Sequence, residues 1–140
     1  DIAGAALGNI LELIAMLLFL HKDYVRREKI MNAELSKKKC MPCHDQESKL
    51  DKDRQDELFD QLQEGWEIVD EHHLKRCFKF DDFQEPLEFV NRIGAIAEDQ
   101  GHHPDIYLTY GKVEVKIWTH KIDGLTENDF IFASKVDEAQ

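Results

Sequence analysis

Between Asp105 and His120 the chain reads DIYLTYGKVEVKIWTH, with apolar and polar side chains alternating on both sides of Gly111 and Lys112. A period of two over that length is a strand signature and a central glycine marks a reversal, so the segment is confined to a β-hairpin. Gly111 at the first turn position fits a two-residue type II′ turn. That turn sets Tyr110 against Val113, Leu108 against Val115, Ile106 against Ile117, Pro104 against Thr119 and His103 against His120. The open end of the hairpin therefore gathers His102, His103 and His120.

The rest of the chain supplies partners for this hairpin. WEIV and LKRCFKF read as two more strands about the polar turn DEHH, with Leu74, Phe78 and Phe80 on one face. Helical spacing appears in DRQDELFDQLQ, where Leu58, Phe59 and Leu62 share a side and Gly65 follows as a stop. A second helix is capped by Asp82, tolerates Pro86 in its first turn, and repeats Leu87, Val90, Gly94 and Ala97 up to Gly101. A third opens at Thr126 with Asp129 three positions on and continues through Phe130, Ala133 and Val136. The order helix, strand, strand, helix, strand, strand, helix predicts an α+β domain, a four-stranded antiparallel sheet with helices on one face. Its expected span is 36–140, entered through a polar linker over 36–50 that contains Pro42.

Residues 1–35 form a separate apolar and charged extension, expected to be helical. IAGAALGNILELIAMLLFL, residues 2–20, is just long enough to span a bilayer, yet Glu12 costs roughly 2.5 to 3.5 kcal/mol of insertion, and Asn9 adds to it. Insertion is marginal. Lys22, Arg26, Arg27 and Lys29 follow the apolar run instead of preceding it, which opposes a cleaved signal peptide and would keep the domain on the cytoplasmic side of any membrane. The alternatives are a docking helix, or an upstream extension with Met31 as the native start. Residues 2–20 are the one segment through which membrane contact is open to the chain.

Charge narrows the ligand class. Against 18 Lys and Arg the chain carries 29 Asp and Glu, a formal net charge of -11, and such a chain repels phosphate backbones. Nucleic acid is not an expected partner. Three cysteines make no disulfide framework and point to the reducing cytoplasm.

Opposed side chains on one face of a sheet lie about 4.5 to 5.5 Å apart at Cβ, within joint reach of one small molecule. Imidazole both donates and accepts protons near neutrality, so clustered histidines suit a reaction that expels hydroxide as water while losing a proton elsewhere. Dehydration fits that description. Glu98, one helical turn before Gly101, can point into the same space. Zinc on three histidines is the competing chemistry, but adjacent His102 and His103 point to opposite faces of an extended chain, so no metal is expected.

These residues resemble the pterin-4a-carbinolamine dehydratase family, whose pattern is met by Glu98, His102, His103, Pro104, Tyr110, His120 and Asp129. The likeness runs from about residue 37 to 138 through KKKCMPC, EGWEIV, FKFDDF, FVNRIGAIAE and WTHKIDGLTENDF. It implies elimination of water from 4a-hydroxytetrahydropterin to quinonoid dihydropterin in tetrahydrobiopterin recycling, without metal or organic cofactor. By position, it makes His102 and His120 the acid and base, lets His103 hold the pterin, and has Glu98 orient a histidine. Pro104, Trp118, Thr119 and Lys121 would line the pocket, and Asp129 would touch ligand or cap its helix. Gly101 departs from animal members, which carry an acidic residue there. The resemblance also implies homodimers or homotetramers, an aromatic amino acid hydroxylase as pathway partner, and a rival role as a dimerisation or assembly scaffold of coactivator type.

Two motifs compete for attention. CMPCH has the spacing of haem attachment, but haem ligation requires export, which the basic flank opposes. Cys40 and Cys43 lack a second pair to complete a zinc site, and Cys77, inside a strand, reads as packing.

Overall fold

The computed structural model describes residues 2–42 and 47–140, with side chains described from residue 8 onward except at 28–29 and 31–33. Cys43 and His44 of the haem-like motif lie outside the described residues. The elements are α1 (Ile2–Lys37), α2 (Lys52–Phe59), β1 (Trp66–Val69), β2 (His73–Lys79), α3 (Gln84–Gln100), β3 (Asp105–Thr109), β4 (Lys112–Ile117) and α4 (Glu127–Ala139). All strand pairs are antiparallel, in the order β1-β2-β4-β3. The expected α+β architecture is present, N-terminal helix included.

Alternation decides which face is covered. Leu74 and Phe78 of β2 and Val113, Val115 and Ile117 of β4 are buried, while Lys75, Glu114 and Lys116 on the other face form a loose charge ladder. The helices pack on the apolar face. Phe89, Ile93 and Ala97 of α3 and Phe130, Phe132, Ala133 and Val136 of α4 complete the core with Leu58, Leu62 and Trp66. Fully burying one such side chain contributes roughly 1.5–3 kcal/mol. α4 is buried on nearly every side because it lies between the sheet and the other helices, so that Asn128, Asp129, Ser134 and Asp137 are buried along with its apolar side chains. Near its C-terminal end, Asp137 accepts from Trp66 Nε1 at 2.8 Å and Arg76 Nη1 at 2.6 Å. Leu35, in the last turns of α1, also enters the core, and Ser36 bonds with Glu138 and Lys135 of α4.

The sequence reading needs four corrections. The buried stripe of α3 is Pro86, Phe89, Ile93 and Ala97, whereas Leu87 faces solvent and nothing packs within 4 Å of where a side chain on Gly94 would begin. The two large side chains, Phe89 and Ile93, set the face. The helix N-cap is Phe83, and Asp82, one residue earlier, still accepts from Glu85 N at 3.0 Å. Cys77 is exposed, because position 77 falls on the outer face between Arg76 and Phe78. Most consequentially, the hairpin register is two residues away from expectation: Leu108 pairs with Val113 and Ile106 with Val115.

The cause of that shift is tertiary. Tyr110 and Gly111 make the turn, with Gly111 at φ +71° in its second position, and Phe80 N donates to Gly111 O while Gly111 N donates to Asp82 O. A Cβ on Gly111 would lie 2.9 Å from Phe80 O. Docking onto the β2–α3 connection therefore selects the turn over the local type II′ preference. Past the strand ends the same register sets His102, not His103, level with Thr119.

Candidate active site

α3 stops at Gly101, whose left-handed φ of +60° reverses the chain and lets His102 N reach Ala97 O. Two neighbouring imidazoles then go opposite ways. His102 turns inward and its Nε2 meets Asp129 Oδ1 at 2.6 Å. His103 turns outward, where its Nε2 meets Glu98 Oε1 at 2.7 Å, both side chains well exposed.

Asp129 has no solvent exposure. Its Oδ2 accepts from Thr119 Oγ1 at 2.9 Å and from Thr126 N at 2.8 Å, and the two threonine hydroxyls are 2.8 Å apart. The helix cap and the histidine partner are thus one carboxylate. Since a carboxylate only accepts, His102 donates from Nε2 and its Nδ1 is left for proton exchange. A cavity of about 190 Å³ opens beside it, lined by Cys40, Met41, Pro42, Gln100, Gly101, His102 and Asn128. The strip expected as linker closes this cavity: Cys40 N donates to Gln100 Oε1, and Asn128 both donates to and accepts from the Met41 backbone.

His120 is exposed, in a tight turn where Thr119 N donates to Gly124 O and Asp123 N to His120 O. Its ring stands edge-on to Trp118, centroids 4.5 Å apart. The structure thus joins the predicted residues in three groups: His102 with Thr119 and Asp129, His103 with Glu98, and His120 with Trp118. All three occupy the same end of the β3–β4 hairpin. Pro104 is half-buried and Lys121 exposed; Tyr110 lies at the opposite turn, bonded to Asp81 O. Among the described residues, no cluster of three or more His, Cys, Asp or Glu is arranged to hold a metal.

Sequence reasoning missed His72, His73 and Asp123. DEHH reads as a polar turn, but Leu74 pairs with Ile117 across β2 and β4, which brings His73 level with Trp118. No local signal carries that pairing.

The sequence model described as pterin 4 alpha carbinolamine dehydratase matches residues 48–139. This chain belongs to that family. A Rubrobacter xylanophilus protein assigned to the pterin-4-alpha-carbinolamine dehydratases is 53% identical over 105 residues, 75% of this chain and 97% of its own. The Arabidopsis thaliana pterin-4-alpha-carbinolamine dehydratase 2, mitochondrial, is 42% identical over 114 residues, 77% of this chain and 60% of its own. A crystal structure of a transcriptional coactivator/pterin dehydratase from Brucella melitensis superimposes with a TM-score of 0.62 at 32% identity, covering 66% of this chain and 98% of that one. Pterin carbinolamine dehydratases are hydro-lyases, and this chain is an enzyme of that class. Among the described residues no helix is long and apolar enough to cross a membrane.

Proposed function

We propose that this dehydratase eliminates water from 4a-hydroxytetrahydropterin by histidine acid–base catalysis, with His102 and His120 as the proton-transferring pair. One imidazole protonates the 4a-hydroxyl, which leaves as water; the other takes the N5 proton as the C4a–N5 double bond of the quinonoid dihydropterin forms. No redox change occurs. The observation that carries this reading is the buried Asp129–His102 contact, with Thr119 and Thr126 holding the second carboxylate oxygen. It fixes one ring and its tautomer before substrate arrives, which is how a positioned general acid or base gains rate. His103 with Glu98 is assigned to gripping the pterin, beside Pro104, Trp118 and Lys121. The pathway role is tetrahydrobiopterin recycling in the cytoplasm, with an aromatic amino acid hydroxylase supplying the carbinolamine.

His120→Ala tests the assignment. The exposed ring should be removable with little change in melting temperature, while turnover falls by roughly a hundredfold or more. Turnover at the wild-type rate would remove His120 from the mechanism.

A second reading, assembly, is favoured by one observation. Ile10, Leu11, Leu13, Ile14, Met16, Leu17, Leu18, Phe19 and Leu20 of α1 are all exposed. Ile10, Leu13, Leu17, Leu20 and Tyr24 fall at coiled-coil spacing, and an exposed apolar surface of this extent marks an association site. We assign it to a second copy of the chain. In sedimentation, the full chain should run as an oligomer and the Leu13→Glu/Leu17→Glu variant at lower mass, with dehydration unaffected. Equal masses, or a wild-type monomer that floats with phospholipid vesicles, would defeat this assignment.

A further inference from the structure

Besides His120, a second set of imidazoles surrounds Trp118. His72 Nε2 meets Asp123 Oδ1 at 2.9 Å, and His72 Nδ1 meets His73 Nδ1 at 3.1 Å. Both rings flank Trp118, with centroid separations of 5.5 Å for His72 and 6.0 Å for His73. The backbone around this set is unusual. Asp70, Glu71 and Asp123 are the non-glycine residues with positive φ among those described, at +53°, +52° and +55°. Asp70 and Glu71 form the turn that presents His72 and His73, and Asp123 is the carboxylate that His72 meets. Left-handed backbone outside glycine is sparsely populated and collects at functional sites.

Two paths lead from His72 to His120. One is the chain of ring contacts through Trp118, tilted on the His72 side and edge-on at His120. The other is the Asp123 carboxylate, whose own backbone N–H closes the turn on His120 O. We propose that His72 is a positioning residue for His120, bracing Trp118 and engaging Asp123 so that this carboxylate does not act on the His120 ring. The proposal rests on the assignment of His120 to proton transfer.

The proton arrangement follows from the partners. Hydrogen bonding and charge from His72 hold the Asp123 carboxyl below its ordinary range, so Asp123 accepts and His72 donates from Nε2. The same charge on His72 puts a proton on both of its nitrogens, so His72 Nδ1–H donates to His73 Nδ1. Burial lowers the His73 pKa, helped by His72, Lys116 of β4 and Lys75 of β2 and opposed by Asp70; Lys49, ahead of α2, also acts on Asp123. His73 is therefore the neutral end of the chain.

The test is the titration of the His120 imidazole, followed by NMR in the full chain beside the pH dependence of kcat. In His72→Ala the released Asp123 carboxylate stands one turn from His120 and favours its protonated form. The His120 midpoint should rise, and kcat should fall by roughly tenfold or more with KM little changed. His72→Ala/Asp123→Asn should return the midpoint to the wild-type position. His72→Gln, whose amide N–H groups can still donate, should recover most of the turnover. A midpoint that stays fixed in His72→Ala, or a shift that persists in the double variant, overturns the proposal. The NMR reading does not depend on activity, so an inert His72→Ala with a fixed midpoint counts against this inference, whereas an unimpaired His120→Ala counts against the catalytic reading on which it rests.

Discussion

Asp129→Asn will leave the domain folded and lower turnover by roughly a hundredfold or more. The amide oxygen can still accept from Thr126 N and Thr119 Oγ1, so the cap of α4 survives. What changes is the group facing His102. An amide nitrogen donates, which forces the proton from Nε2 to Nδ1 and leaves the ring in the wrong tautomer for its task. Asp129→Ala removes every acceptor at once, and leaving buried donors unpaired costs roughly 1–3 kcal/mol for each. Measuring kcat together with the thermal midpoint separates the two variants: Asn loses rate and Ala loses both. If Asn keeps the wild-type rate, the carboxylate is only a helix cap.

The largest stability effect is expected at Asp137. Its carboxylate accepts from Trp66 Nε1 and Arg76 Nη1, and Gln63 N approaches at 3.3 Å. Arg76 also lies over the Phe78 ring at 4.4 Å, so its position is set from two sides. Asp137→Ala strands a largely buried guanidinium and should cost about 3–5 kcal/mol in denaturant unfolding. A loss under 1 kcal/mol would mean that water replaces the carboxylate. Burial pushes the Asp137 pKa up to about 6, against the opposing pull of Trp66, Arg76 and Gln63. With the folded value above the unfolded one, the folded state holds the extra proton between about pH 6 and pH 4. This group's contribution to stability is therefore fully present below that window and lost as pH rises through about 6. Asp137→Asn should flatten that part of the stability–pH curve, leaving the other carboxylates to set it.

Periodicity and turn residues made most of the fold legible. The alternation around Gly111, the helical spacing after Asp82 and the Thr126–Asp129 box all correspond to observed elements. Register was not legible, because the Tyr110–Gly111 turn is chosen by hydrogen bonds to Phe80 and Asp82, residues from another part of the chain. Local turn statistics contain no term for such a contact. The same limit applies to the site. His102 and Asp129 are separated by β3 and β4, and a capping carboxylate that also serves a histidine looks in sequence like an ordinary cap. The β2–β4 pairing that brings His73 to Trp118 joins strands that are not consecutive, so DEHH carries no mark of it.

Asp129 and Asp137 sit on one helix, eight residues and about 12 Å apart. The first steers an imidazole and the second clamps the strand pair β1–β2, with almost no solvent in between. α4 thus works as a lever with the proposed proton-transfer site at one tip and mooring at the other. Substitutions that loosen the moored tip will be felt as lost turnover, and selection for sturdiness at position 137 will retune catalysis without touching a single reacting atom.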